Sequence, residues 1–163
     1  MHLIIHITGP SGSGKTTLLD KLSEYYAYLN PSVFSMDNYY KPIEEQAIDK
    51  NGKVNFDLPT ALEERRLVDD LYRLLQGEEI MVKEYHFNAP PDKNVLITIH
   101  PSKVIIIEGL FLLHYTEVKE LIEKLFSDTC RITVFVTTHP EMTKNMSTPT
   151  NPPGSGSCAW YAT

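Results

Sequence analysis

The chain has few cysteines, no basic excess and no long apolar run, and each shortage closes off a class of protein. Two cysteines in 163 residues, Cys130 and Cys158, show neither metal-ligand spacing nor a disulfide framework, so a reducing compartment is the natural setting. Fifteen lysines and arginines against 21 aspartates and glutamates leave a net charge of −6. That balance offers no cationic surplus to displace the counterions of a nucleic acid. No stretch approaches the ~20 apolar residues needed to cross a bilayer, and the apolar run at the start carries no basic leader. The expectation is a protein of the cytoplasm, with no nucleic-acid and no membrane partner. The six histidines lack metal spacing such as H-E-x-x-H, so His2, His6, His100, His114 and His139 are read as structural.

Hydrophobic residues make up 42% and charged ones 22%, the composition of an ordinary globular domain with a proper core. Near its start lies Gly9-Pro10-Ser11-Gly12-Ser13-Gly14-Lys15-Thr16-Thr17, which fits the phosphate-loop pattern G-x-x-x-x-G-K-[ST]. Chance alone gives such a match in roughly one in a hundred chains this long. The context is also right: Leu3-Ile4-Ile5-His6-Ile7 reads as a strand before the loop, and Lys15 to Tyr28 as a helix after it. Glycines let the backbone turn its N–H groups inward, and the helix offers its positive end to a phosphate. Lys15 would reach the β- and γ-phosphates, and the Thr16 hydroxyl would sit on Mg²⁺.

Further along, Ser32 to Met36 reads as a strand with Asp37 at its carboxyl end, completing a βαβ unit. Asn38 to Pro59 is polar and irregular, and so long a connection points to a substrate-binding segment. Thr60 is expected to cap a helix running to about Gln76, ended by Gly77. Ile80 to Tyr85 and Val95 to Ile99 read as strands of a small antiparallel flap around a loop from His86 to Asn94. Val104-Ile105-Ile106-Ile107 is a central strand buried on both faces, ending at Glu108-Gly109. A helix from about Glu117 to Phe126 leads to a last strand, Arg131 to Val136. The pattern is α/β: a three-layer P-loop NTPase fold with a mostly parallel central sheet. Residues 1–142 form the domain, and 143–163, with three prolines beside Gly154-Ser155-Gly156-Ser157, read as a disordered or non-native tail.

Ligands in such sheets bind at the carboxyl ends of the strands, where Gly9, Asp37, Tyr85 and Glu108 all fall. Transfer of a phosphoryl group to a hydroxyl needs Mg²⁺ and a carboxylate to orient or deprotonate the acceptor. Asp37 suits the second task, and Glu108, ending an apolar strand, could hold Mg²⁺ through water. Asp49-Lys50-Asn51-Gly52 matches the D-x-x-G of GTPases, but it follows no apolar strand and no N-K-x-D occurs. It reads as a turn.

Four motifs recur in order: the phosphate loop, Met36-Asp37-Asn38-Tyr39-Tyr40, Asn55-Phe56-Asp57-Leu58-Pro59-Thr60-Ala61 and Ile105-Ile106-Ile107-Glu108-Gly109. Together they resemble uridine kinase and, more broadly, the superfamily of uridine kinase, phosphoribulokinase and nicotinamide riboside kinase. The resemblance covers roughly residues 1 to 140. It implies ATP-dependent phosphorylation of a ribonucleoside 5′-hydroxyl, with ATP and Mg²⁺ as cofactors and a nucleoside-type small molecule as partner. A homo-oligomer is left open. By the same resemblance Asp37 is the catalytic aspartate, Asp57 holds the ribose hydroxyls, and Tyr40 and Tyr85 line the substrate pocket.

Two departures bear on the acceptor and on turnover. Where uridine kinases carry a His and an Arg near the base, this chain has Pro90 and Asp92, which leaves nicotinamide riboside or another small alcohol as alternative acceptors. Where the family continues into an arginine-rich lid helix, the chain reads Thr137-Thr138-His139-Pro140-Glu141-Met142-Thr143-Lys144, and no arginine follows Arg131. Nucleotide binding with weakened turnover is the expectation, and a non-catalytic ATP-binding module the alternative.

Overall fold

The structure, a computed structural model, describes residues 3–85, 95–124, 130–136 and 157–162. In chain order these give β1 (Leu3–Thr8), α1 (Lys15–Tyr25), β2 (Ser32–Ser35), α2 (Glu64–Leu75), β3 (Ile80–Lys83), β4 (Leu96–Ile99), β5 (Val104–Glu108), α3 (Thr116–Lys124), β6 (Cys130–Val136) and β7 (Ser157–Ala162). Five strands pair in the order β2-β5-β1-β6-β7, and every pairing among them is parallel. The expected α/β architecture with a parallel central sheet is what forms. β1 and β2 run parallel as expected, but β5 lies between them, so the first two strands are not neighbours.

The three layers follow from side-chain alternation along the strands. Ile5 and Ile7 of β1, with Val104 and Ile106 of β5, pack with Leu19 of α1. Ile4, Ile105 and Ile107 point the other way, into a second core with α2 and α3. β5 is buried at every position, as a strand flanked by two others and covered on both faces must be. β3 and β4 pair antiparallel, Ile80 opposite Ile99, forming the expected flap. His6 is buried in β1 with its Nδ1 3.5 Å from the Thr133 hydroxyl, a core histidine.

Three expectations are corrected. α2 begins at Glu64 rather than at a Thr60 cap, because Pro59–Ala61 makes a separate 3-10 turn and Leu62 is extended in a bridge to Tyr40. The Glu63 amide then donates to the Tyr39 carbonyl, so the backbone ahead of Glu64 is committed elsewhere. α1 stops at Tyr25, and a 3-10 turn over Ala27–Leu29 leads to Asn30 in the left-handed region at φ 47°. The tail is not wholly irregular: Ser157–Ala162 adds β7 in parallel to β6, Arg131 opposite Ser157. Trp160 and Tyr161 suit an extended strand, and an open sheet edge is a template for one. The loop from His86 to Asn94 and the segment 137–156 lie outside the described residues.

The turn after β2 is riveted to α2 by a buried pair. Tyr39, 1% exposed, donates its hydroxyl to Asp70 Oδ2 at 3.1 Å and stacks on Phe34. Burial and the adjacent carboxylate push the phenol well above its ordinary range. Tyr39→Phe keeps the packing but removes a donor from the largely buried Asp70. A stability loss of about 1–3 kcal/mol is expected, read as a lower urea midpoint, whereas the exposed Tyr72→Phe should leave the midpoint in place.

Candidate active site

The phosphate loop leaves β1 at Thr8 and enters α1 at Lys15. Gly12 and Gly14 take φ of 73° and 93°, left-handed positions of the kind that let successive amides face one anion. No side chain caps the first amides of α1, which leaves that helix end open to an anion. Gly9 is required for space: a methyl placed on it would run into the Val136 carbonyl oxygen of β6. Lys15 arches back over the loop, its Nζ 3.1 Å from the Pro10 carbonyl.

Beside the loop is a cleft of about 400 Å³ lined by Ser11, Gly12, Lys15, Thr16, Asp37, Tyr40, Asn55, Phe56, Asp57 and Glu108, with Val54 and Leu110. The fold thus brings together all three predicted carboxylates, Lys15, Thr16 and Tyr40. Gly9, Ser13, Gly14 and Thr17 form the loop without lining the cleft. Tyr85 stands outside the lining as well, with its ring 5.3 Å from that of Tyr40, and Phe56 meets the same ring edge-on at 5.5 Å. A larger open groove of about 1260 Å³ runs along α2 and the start of α3 and shares no residue with this cleft. Volume alone does not mark the site; the carboxylates and the phosphate loop do.

Each acidic group is set by a different element. Asp37 lies in a 3-10 turn over Met36–Tyr39. Glu108 is the last residue of β5, 4% exposed, and accepts from the Ser35 hydroxyl at 3.2 Å. Asp57 belongs to the long connection, whose backbone is stitched down rather than loose. Tyr115 donates to the Pro59 carbonyl at 2.5 Å, Tyr40 to that of Phe56 at 3.4 Å, and the buried Gln46 amide to Lys41 and Ala61. Burial, helped by Glu64, pushes the Tyr115 phenol up to about 12. Ser35, Gln46 and Tyr115 were not singled out from the sequence. Only Ser35 carried a legible signal, a serine at the cap of a turn. Asp49 accepts from the amides of Asn51 and Lys53, confirming a turn there.

Burial sets the electrostatics first, and neighbouring negative charge adds to it. Burial raises Asp37 above its ordinary 3.8, with Lys15 opposing, and burial and then Asp37 raise Glu108 above its ordinary 4.5, opposed by Lys15 and the Ser35 hydrogen bond. The Tyr40 phenol is likewise driven up, by burial first and then by Asp37 and Asp57. A carboxyl raised by folding binds more protons folded than unfolded, so it costs stability as pH climbs. The cost begins as pH passes the ordinary values and is complete once the raised ones are passed. Asp37→Asn and Glu108→Gln are therefore expected to raise the melting temperature of the free chain at pH 7 and to lose that advantage near pH 4. Scanning calorimetry at the two pH values checks this.

No group of three or more His, Cys, Asp or Glu that could by itself hold a metal occurs among the described residues. The hard oxygen donors of Thr16 and Glu108 fit Mg²⁺ of a different kind, held by one or two protein groups with phosphate and water completing the shell. The left-handed glycines, the uncapped helix end and Lys15 fit the phosphates themselves.

Comparison with known proteins falls in line with this geometry. The model of the phosphoribulokinase / uridine kinase family matches residues 4–134. Uridine kinase of Halalkalibacterium halodurans is 33% identical over 130 residues, covering 78% of this chain and 61% of that protein. Uridine kinase of Chlamydia pneumoniae is 34% identical over 129 residues, covering 78% and 58%. The chain thus spans about three fifths of these relatives' length. Among solved structures, one described as a possible uridine kinase from Bacillus stearothermophilus superposes with a TM-score of 0.60 at 22% identity, covering 88% of this chain and 74% of that one; at such identity the likeness bears on the fold. Among the described residues no helix is long and apolar enough to cross a membrane.

Proposed function

The chain belongs to the phosphoribulokinase / uridine kinase family, and on that premise we propose an ATP-dependent kinase of a ribonucleoside 5′-hydroxyl. One observation carries the reading: the phosphate loop and three carboxylates from three different elements share one cleft. About 400 Å³ suits a single small molecule, and the relatives above are uridine kinases.

In this reading the loop amides and Lys15 hold the β- and γ-phosphates. Mg²⁺, when bound through Thr16 and Glu108, supplies neutralisation of phosphate charge. Asp57 accepts hydrogen bonds from the two ribose hydroxyls, for which the two oxygens of one carboxylate are well matched. Asp37 accepts the proton of the 5′-hydroxyl as its oxygen bonds to the γ-phosphorus and the bond to the ADP oxygen breaks. Burial makes Asp37 a stronger proton acceptor than a solvated aspartate. Tyr40, Phe56 and Tyr85 offer an aromatic wall for a base.

A coupled ADP-release assay over uridine, cytidine, adenosine and nicotinamide riboside, with Asp37→Asn as control, tests the proposal. Turnover that depends on one of these acceptors and on Asp37 supports it; ADP release unaffected by all four defeats it. A second reading, nucleotide binding without transfer, is kept because none of residues 132–163 is an arginine, and an arginine that meets the transferring phosphate is worth ~10³–10⁵ in such rates. Calorimetric ATP binding beside zero transfer would select it.

A further inference from the structure

Asp37 lies in the turn that follows β2 and Glu108 ends β5, two strands that are neighbours in the sheet, and between them stands Ser35. Ser35 is opposite Glu108 in the β2–β5 register. Its hydroxyl donates to Glu108 Oε2 at 3.2 Å and accepts from the Asp37 amide at 3.3 Å. A serine hydroxyl has one proton to give and lone pairs to receive, so one side chain serves both partners at once. We propose that Ser35 is a positioning residue of the phosphotransferase site, locking the Glu108 carboxylate and the Asp37 turn into one fixed relative geometry.

The need for such a lock follows from the charges. The two carboxylates share a cleft with a single lysine, Lys15, and Asp37 bears on Glu108 electrostatically. Left untethered, like charges relax apart by rotating about their side-chain bonds. Ser35 opposes this twice. It takes up Oε2, leaving Oε1 as the oxygen that Glu108 can turn to a ligand, and it caps the turn that aims Asp37. The other residues of that turn are held from other directions: the Asn38 side chain accepts from the Tyr85 amide at 3.1 Å, and Tyr39 is tied to Asp70. Among the described residues, Ser35 is the side chain that hydrogen-bonds both the Glu108 carboxylate and the Asp37 turn.

The proposal rests on the kinase reading, and the experiment separates the two. Wild type, Ser35→Ala and Ser35→Thr are compared by amide hydrogen exchange without ligand and by steady-state kinetics with Mg²⁺-ATP and the nucleoside that the panel selects. Ser35→Ala is expected to exchange the Asp37 amide about tenfold faster and to lower kcat by about 10²-fold at similar KM for ATP, as a misplacement near 1 Å does. Ser35→Thr, which keeps the hydroxyl, should restore both. A merely structural role would lower melting temperature without the split between kcat and KM. If Ser35→Ala does not fold, Ser35→Cys, similar in volume with a weak donor, is read in its place. Unchanged Asp37 exchange, or a kcat within about twofold of wild type, overturns the proposal. A wild type that transfers no phosphate defeats the kinase reading instead, and the exchange comparison then decides on Ser35 by itself.

Discussion

Replacing Asp37 by asparagine is expected to lower kcat by about 10³-fold, within the range that positioned acid–base groups supply, with the KM for ATP moved by less than roughly threefold. Asparagine keeps the size and can still accept a hydrogen bond, but it cannot take a proton from the acceptor hydroxyl. The amides and Lys15 proposed to meet the phosphates come from the loop after β1, whereas Asp37 comes from the turn after β2. Donor binding should therefore survive the loss of Asp37. The same variant removes a charge that burial disfavours and that also presses on Glu108, so a chain made nearly inactive should also melt higher. That pairing of lost activity with gained stability separates a site residue from a structural one, since losing a structural carboxylate lowers both. Steady-state kinetics beside a melting curve of one preparation reads both effects.

The second large effect is predicted at Gly9. A methyl there collides with the backbone carbonyl of Val136, and φ is +155°. Backbone cannot swing aside as a side-chain end can, so the β1–β6 edge under the phosphate loop must separate. Gly9→Ala is expected to cost about 3 kcal/mol and to abolish detectable ATP binding. Gly12→Ala makes the internal control. Its φ is +73° but a methyl would meet nothing within 4 Å, so only the left-handed backbone is penalised, by about 1–2 kcal/mol. Urea denaturation and calorimetric titration with ATP should therefore rank the variants wild type, Gly12→Ala, Gly9→Ala.

The half of the cleft proposed to hold the donor was legible in the sequence because its chemistry is local. A phosphate loop is nine consecutive residues, and its strand and helix announce themselves by apolar spacing. The acceptor half was legible only in part. Asp37 and Glu108 stood out as acidic residues at strand ends, yet their meeting depends on β5 inserting between β1 and β2, an arrangement no local pattern encodes. Asp57 was placed by resemblance. What fixes it, the Tyr115 and Tyr40 hydroxyls on backbone carbonyls and the buried Gln46 amide, joins residues 5 to 56 positions apart. α2 was expected three residues early because Thr60 is a good cap in isolation. The Tyr40–Leu62 bridge, a tertiary contact, overrode that preference. β7 escaped notice because Ser157–Ala162 is short and follows a Pro- and Gly-rich stretch, and its partner β6 lies over twenty residues back.

The most direct test of the central claim is the identity of the product. The chain is incubated with Mg²⁺-ATP and each nucleoside of the panel, and phosphorus NMR follows every phosphate. The account predicts a 5′-phosphomonoester with one acceptor, appearing in step with ADP and absent with Asp37→Asn. Inorganic phosphate as the sole product beside ADP, whatever nucleoside is present, would contradict it.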